Sequence, residues 1–193
     1  MKFDDLKLSD PILRSLKDQD YKEPTPIQVE VIPAILNKSD IMAAAQTGTG
    51  KTAAFVLPTL SILSNPKNNY KGHQLRALIL TPTRELAAQV RESVNTYSKY
   101  LSIRSTAVYG GARIHNQKLK LKKGVDVLVA TPGRLLDSPA EELVQEPRGR
   151  GEDGRSLRLR GNRPNYAEGR RASGSGVIAI TVTDDAAYAD EAK

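Results

Sequence analysis

Between residues 1 and 137, apolar residues recur either at helical spacing or in short unbroken runs, and the two kinds of segment alternate. Ser9 is positioned to cap a helix with Asp10 and Pro11 in its first turn, running to about residue 17. Thr25 and Pro26 open a second helix over residues 27–36, which Pro33 is expected to kink or split because it lacks a backbone donor. Residues 41–45 form a short apolar run, read as a strand entering a Gly/Thr-rich turn, and residues 52–57 resume helical character. The run 75–80 predicts a buried strand, followed by a long helix from Arg84 to about Tyr100. Residues 105–109 predict another strand, 112–121 a short helix and 125–130 a third apolar strand, with a helix beginning at Arg134. Strands separated by helices are βα units, so the pattern predicts an α/β fold with a mostly parallel sheet flanked by helices.

The pattern stops after Asp137. Residues 138–176 are rich in Arg, Gly, Pro and Glu, with few branched aliphatics and no periodicity. Such a segment buries too little apolar area to offset its ordering entropy and is expected to be disordered. Residues 177–182 (VIAITV) predict one last strand before an acidic stretch to residue 193. Basic residues change from mostly Lys to almost all Arg at the same boundary, which points to a fusion, a frame change or a chimera, with a natural tail as the alternative.

Composition narrows the class. The chain has no cysteine, which removes disulfides and thiolate metal sites and suits a reducing cytoplasm. Its two histidines, His73 and His115, lack zinc-site spacing. No apolar run approaches the roughly 18 residues of a membrane span, and MKFDDLKL is not a signal peptide, so a cytoplasmic protein without membrane contact is expected and a monomer is assumed. The net charge of +7 favours a polyanionic partner. That charge sits in the first part, where 13 Lys and 7 Arg face 12 acids; residues 138–193 carry 8 Arg and 1 Lys against 10 acids. Lys118, Lys120, Lys122 and Lys123 cluster, but a solvated helix end accounts for them and no site is assigned there.

The strongest chemical signal is Ala45-Gln46-Thr47-Gly48-Thr49-Gly50-Lys51-Thr52, which matches the P-loop pattern with Ala45 at the first glycine. Gly48 and Gly50 allow backbone N–H groups to curl around a phosphate, and a following helix N-terminus adds its positive dipole end. Lys51 reaches β- and γ-phosphates and the Thr52 hydroxyl is a ligand for Mg²⁺. The competing account is a glycine-rich turn that merely starts a helix.

Other segments carry a family resemblance. Lys22 to Gln28 (KEPTPIQ), with Tyr21 before it and Phe3 as an upstream aromatic, resembles the Q motif of DEAD-box RNA helicases. Ala45 to Thr52 resembles their motif I, Pro82-Thr83-Arg84-Glu85-Leu86-Ala87 their motif Ia, Gly110-Gly111 the GG motif and Thr131-Pro132-Gly133-Arg134 motif Ib. The run as a whole looks most like the bacterial RhlE-type branch. The resemblance implies that residues 1–137 are part of an N-terminal RecA-like ATP-binding domain of the P-loop NTPase class, with residues 1–29 as its Q-motif region. It implies ATP and Mg²⁺ as cofactors, Gln28 reading adenine with Tyr21 as a stacking surface, and a single RNA strand held by its backbone at Pro82, Thr83, Arg84, Glu85, Gly110, Gly111, Thr131, Pro132, Gly133 and Arg134. A glutamine amide suits adenine, whose N6 donates while N7 accepts. Thr25-x-x-Gln28 is equally a capping box, and each RNA-edge residue alone has a turn or cap explanation.

The same resemblance requires an Asp-Glu-Ala-Asp strand end after Asp137 and a Ser-Ala-Thr motif, and neither sequence is present. Asp184-Asp185, after the 177–182 run, and Asp190-Glu191 are poor substitutes for the carboxylates that organise Mg²⁺ and the attacking water. The expected function is therefore that of an ATP-dependent RNA helicase fragment, truncated or chimeric, that binds ATP weakly and lacks hydrolysis and unwinding. The alternative is a non-catalytic ATP/RNA-binding module.

Overall fold

The computed structural model describes residues 1–65, 75–111, 119–121, 123–136 and 178–181. A 3-10 turn at Phe3–Leu6 buries Phe3 and Leu6 and leads into helix α1, Asp10–Asp18, whose N-cap Ser9 has extended backbone and whose first turn holds Pro11. Pro11 has no N–H to leave unpaired, so the helix starts there without loss. Helix α2, Pro26–Leu36, starts in the same way behind Thr25 and runs unbroken through Pro33, so the expected split is not found. Helix α3, Lys51–Leu63, starts at Gly50 and likewise carries Pro58 inside. Helix α4, Arg84–Tyr97, is capped by Thr83, whose Oγ1 accepts from the Leu86 N–H at 3.2 Å. It ends three residues before Tyr100, where the carbonyl of Ser98 turns to accept from the Leu101 N–H.

Among the described residues four strands, β1 (Ala77–Leu80), β2 (Ser105–Val108), β3 (Val127–Ala130) and β4 (Ile178–Thr181), form one sheet in the order β2-β3-β1-β4, with every pair parallel. Ala77, Leu78, Ile79 and Leu80 lie opposite Val127, Leu128, Val129 and Ala130 on one side and opposite Ile178, Ala179, Ile180 and Thr181 on the other. A short helix α5, Pro132–Leu136, follows β3. The sheet is parallel and helix-covered, which confirms the α/β, RecA-like class expected from the sequence.

Alternation along the strands divides the core in two. Ala77, Ile79, Val127 and Val129 join Ile12, Leu16, Ile32, Leu57, Leu60, Val90 and Val94 on the face covered by α1 to α4. Leu78, Leu128, Ala130 and Val108 pack with Leu121, Val125 and Leu135 on the other. The amino ends of the strands are tied by Asp126, a buried acid. Its carboxylate accepts from Arg76 Nε at 3.1 Å and Nη2 at 2.9 Å and from the Arg104 N–H at 2.9 Å, so one side chain holds the starts of β1, β2 and β3 together.

Two sequence expectations need correction or restriction. Residues 41–46 are not a strand: they have no regular structure, and Met42 is 83% exposed. A strand exists only with a neighbour to pair with, and among the described residues the sheet ends at β4 with none beside 41–46. The expected helix at 112–121 lies mostly, and the 138–176 segment wholly, outside the described residues.

Candidate functional site

The loop from Ala45 to Gly50 turns through two left-handed residues, Gly48 at φ +81° and Gly50 at φ +88°. Residues with a Cβ enter this region at a cost of roughly 1–2 kcal/mol, which is the local reason for glycine at both. Space separates their roles. Nothing lies within 4 Å of where a Cβ on Gly48 would sit, whereas one on Gly50 would overlap Gln28 Nε2. Gly48 is thus open to a ligand and Gly50 is closed by the protein. Thr49 Oγ1 donates to the Gln46 carbonyl at 2.8 Å and stiffens the turn, while Thr47 lies exposed at its tip. Lys51 folds its ammonium back onto the Ala45 carbonyl, and Thr52 is half-buried behind it in the first turn of α3.

Gln28 reaches this loop from α2. The side chain is 1% exposed; Oε1 accepts from the Thr25 N–H at 3.0 Å, and Nε2 donates to the Gly50 carbonyl at 3.2 Å. The capping duty and the contact with the phosphate-type loop therefore coexist in one amide. One N–H and one lone-pair site of that amide remain unused. Among the described residues, Thr25 Oγ1, next to Gly50, is buried without a hydrogen-bond partner. A glycine turn with space at Gly48, an α3 N-terminus without a side-chain cap, a lysine folded onto a carbonyl of the same loop, and a buried hydroxyl and half-used amide nearby suit a nucleoside triphosphate with its Mg²⁺. Among the described residues no cluster of three or more acids or histidines could hold a metal by itself.

The two expected aromatics separate. Tyr21 is 41% exposed, while Phe3 is buried in the core and meets the Tyr21 ring edge-on, centroids 6.3 Å apart. Tyr97, which the sequence did not single out, also packs edge-on against Tyr21, centroids 6.3 Å apart, with the two hydroxyls 3.2 Å apart. Burial, reinforced by the Tyr21 hydroxyl, pushes the Tyr97 phenol above its ordinary value.

The remaining candidates gather at the carboxyl ends of β1, β2 and β3, the edge where parallel sheets bind ligands. Pro82, Thr83, Arg84 and Glu85 follow β1 and are exposed. The Arg84 guanidinium pairs with Glu85 at 2.6 Å, which raises the arginine from its ordinary value and holds the glutamate below its own. The same guanidinium lies 3.2 Å from the Cβ position of Gly111, so β1 and β2 edge residues meet there. Arg134 Nε donates to the Tyr109 carbonyl at 3.4 Å, and the Thr131 N–H to Val108 at 3.1 Å, which joins the β3 edge to the same group. Gly110 and Gly133 have nothing within 4 Å of a Cβ position, and Pro132 is exposed beside them. A separate groove of about 250 Å³ between α2 and residues 41–44, lined by Ile27, Glu30, Val31, Ile41 and Met42, contains none of these residues.

Comparison with known proteins identifies the family. The profile of the DEAD/DEAH box helicase family matches residues 25–148, continuing past the change of composition at Asp137. The DEAD-box ATP-dependent RNA helicase RhpA of Helicobacter pylori is 44% identical over 144 residues, 75% of this chain and 28% of that protein. ATP-dependent RNA helicase DeaD of Escherichia coli is 48% identical over 136 residues, 70% of this chain and 21% of its own length. The human probable ATP-dependent RNA helicase DDX46 is 44% identical over 130 residues, 67% of this chain and 13% of its length. This chain thus spans well under a third of each of these relatives. Among the described residues, no helix is long and apolar enough to cross a membrane.

Proposed function

The chain belongs to the DEAD/DEAH box helicase family, and from that premise we propose that residues 1–137 bind MgATP at the Ala45–Thr52 loop and one RNA strand at the carboxyl edge of β1, β2 and β3, in the cytoplasm. The observation that carries this reading is the bond from Gln28 to the Gly50 carbonyl, which joins the proposed base-reading amide to the phosphate loop. Backbone N–H groups around Gly48 and the first turn of α3 hold phosphate oxygens. Lys51 exchanges the Ala45 carbonyl for β- and γ-phosphate oxygens, and the Thr52 hydroxyl ligates Mg²⁺. Gln28, 1% exposed, has one N–H and one lone pair left for adenine when its side chain is uncovered, and Tyr21 offers the exposed ring for the base. Phe3 acts through Tyr21, whose ring it supports.

At the sheet edge, Arg84 and Arg134 supply cations for the RNA backbone, while Gly110 and Gly111 permit its close approach. Backbone contacts leave sequence unread, consistent with an edge that carries no base-stacking aromatic among its candidates. When bound, MgATP supplies the phosphoanhydride whose cleavage drives strand separation in complete helicases. The 193 residues contain no Asp-Glu-Ala-Asp and no Ser-Ala-Thr, so we infer that these residues by themselves bind ATP and RNA without efficient hydrolysis or unwinding. Those missing motifs favour the second reading too, a non-catalytic ATP/RNA-binding module. Within the family, the motif run from Lys22 to Arg134 is the ground for the RhlE-type branch.

Calorimetry with MgATP and MgGTP tests the assignment. Tighter binding of ATP, lost in Lys51→Ala and reduced to the GTP level in Gln28→Ala, is expected. Equal binding of the two nucleotides by the unaltered chain would remove the role given to Gln28. A single-turnover assay with RNA separates the two readings, since measurable ATP cleavage would rule out the purely binding one.

A further inference from the structure

We propose that Tyr97, the last residue of α4, is a positioning residue for the base platform: it fixes the Tyr21 ring through a hydroxyl–hydroxyl bond so that the ring is preset to meet a purine. The inference rests on the adenine reading given above and adds a residue to it.

Tyr21 sits on the connection between α1 and α2, and is 41% exposed. An exposed ring on such a connection samples several rotamers and must give up that freedom when a base stacks on it. Here two buried side chains flank it. Phe3, 4% exposed, meets it at an interplanar angle of 87°, and Tyr97, 7% exposed, at 68°. Edge contacts of this kind limit tilt but leave the ring free to slide. The 3.2 Å contact between the hydroxyls is the polar anchor that stops sliding, and it joins residues 76 positions apart in the chain. Tyr97 is itself held, because Val90, Val94 and Ala87 of the same helix are buried in the core. A phenol is protonated at neutral pH, and burial raises this one further, so its hydroxyl stays available for the bond.

The expected gain from a preset ring is the entropy of one immobilised side chain, roughly 2- to 10-fold in base-dependent affinity. It falls on the base alone. The test titrates the full 193-residue chain with MgATP and with magnesium tripolyphosphate, a probe that keeps the phosphates and lacks the base. Four proteins are compared: unaltered, Tyr97→Phe, Tyr21→Phe and the double variant. Either single change is expected to weaken ATP about 2- to 10-fold and leave tripolyphosphate unchanged, and the double variant to be no weaker than either, because all three remove one bond. Unchanged ATP affinity in Tyr97→Phe, equal weakening of both probes, or additive losses would each overturn the proposal. Should Tyr97→Phe prove poorly folded, Tyr21→Phe cuts the same bond from the exposed side and decides the matter. If the unaltered chain binds tripolyphosphate as tightly as ATP, the adenine reading itself fails, an outcome distinct from the failure of Tyr97 alone.

Discussion

The side-chain nitrogen of Gln28 donates to the Gly50 carbonyl at 3.2 Å, and that nitrogen occupies the space a methyl group on Gly50 would need. Gly48, two residues earlier with nearly the same φ, has open space instead. The pair makes a controlled comparison. Gly48→Ala should cost only the left-handed backbone penalty, about 1–2 kcal/mol. Gly50→Ala should cost that and, in addition, displace Gln28 from both of its hydrogen bonds, adding about 1–3 kcal/mol. Urea unfolding of the two variants checks the order. Equal losses would show that Gln28 does not rest against the loop.

Asp126 offers a test of the fold apart from the site. Its carboxylate, 4% exposed, faces an Arg76 side chain that is 12% exposed, and also receives the Arg104 N–H. Removing one partner of a buried pair strands the other charge, so Asp126→Ala should destabilise by about 3–5 kcal/mol. Asp126→Asn keeps an acceptor for Arg104 and should lose less. A loss below about 1 kcal/mol for the alanine variant would mean that the pair behaves as a surface ion pair and does not hold the strand starts.

Much of this was legible in the chain. The apolar runs at 75–80 and 125–130 became β1 and β3 because strands buried on both faces need unbroken aliphatic stretches, while 105–109 became β2, whose burial alternates. Helix starts at Asp10, Pro26 and Arg84 followed from Ser9, Thr25 and Thr83, whose side chains or extended backbones suit the N-cap. The gathering of Arg84, Gly111 and Arg134 could be anticipated from parallel strands, since all follow a strand end. Residues 41–45 misled because apolar character reports a preference for burial, while a strand also needs a partner. Pro33 does not split α2, because packing against α3 holds the helix together despite one missing donor. Tyr97 was invisible because its contact with Tyr21 depends on how α4 lies across the first helices. Asp126 left a signal that went unused, an acid inside the apolar run 125–130, where only a paired carboxylate is tolerated.

The Arg84–Glu85 pair predicts how the sheet edge responds to a change of one charge. Glu85 lies beside the cation proposed to meet phosphate, and the two share a 2.6 Å contact at an exposed position. Glu85→Gln should release Arg84 and raise affinity for a single-stranded oligouridylate by about 2- to 5-fold at low salt. It should also steepen the dependence of log affinity on log salt, because one more cation displaces counterions. Arg84→Ala should do the opposite and reduce the slope by about one unit. Fluorescence anisotropy at several salt concentrations reads both. A Glu85→Gln variant with unchanged slope would mean that Arg84 does not contact the RNA backbone.

Alkaline pH provides a test of the Tyr21–Tyr97 contact that needs no ligand. Burial first, and the Tyr21 hydroxyl second, raise the Tyr97 phenol above its ordinary value of 10.0. In the unfolded chain this phenol loses its proton near the ordinary value, while in the folded chain it keeps it. Above that pH the unfolded state binds fewer protons, so unfolding becomes easier as pH rises. The stabilisation is fully present below pH 10.0 and is lost progressively towards the folded value, with a slope no steeper than about 1.4 kcal/mol per pH unit. Lys99, raised chiefly by its bond to Asp18, titrates in the same direction, so the unaltered chain alone does not isolate the effect. Tyr97→Phe does, since it removes only the ionisable group. The variant should be less stable by about 0.5–1.5 kcal/mol at neutral pH, through loss of the hydroxyl bond, and the two stability curves should converge above pH 10.0. Urea midpoints at neutral and alkaline pH measure this directly, and parallel curves would mean that the Tyr97 hydroxyl is not held in the buried contact with Tyr21.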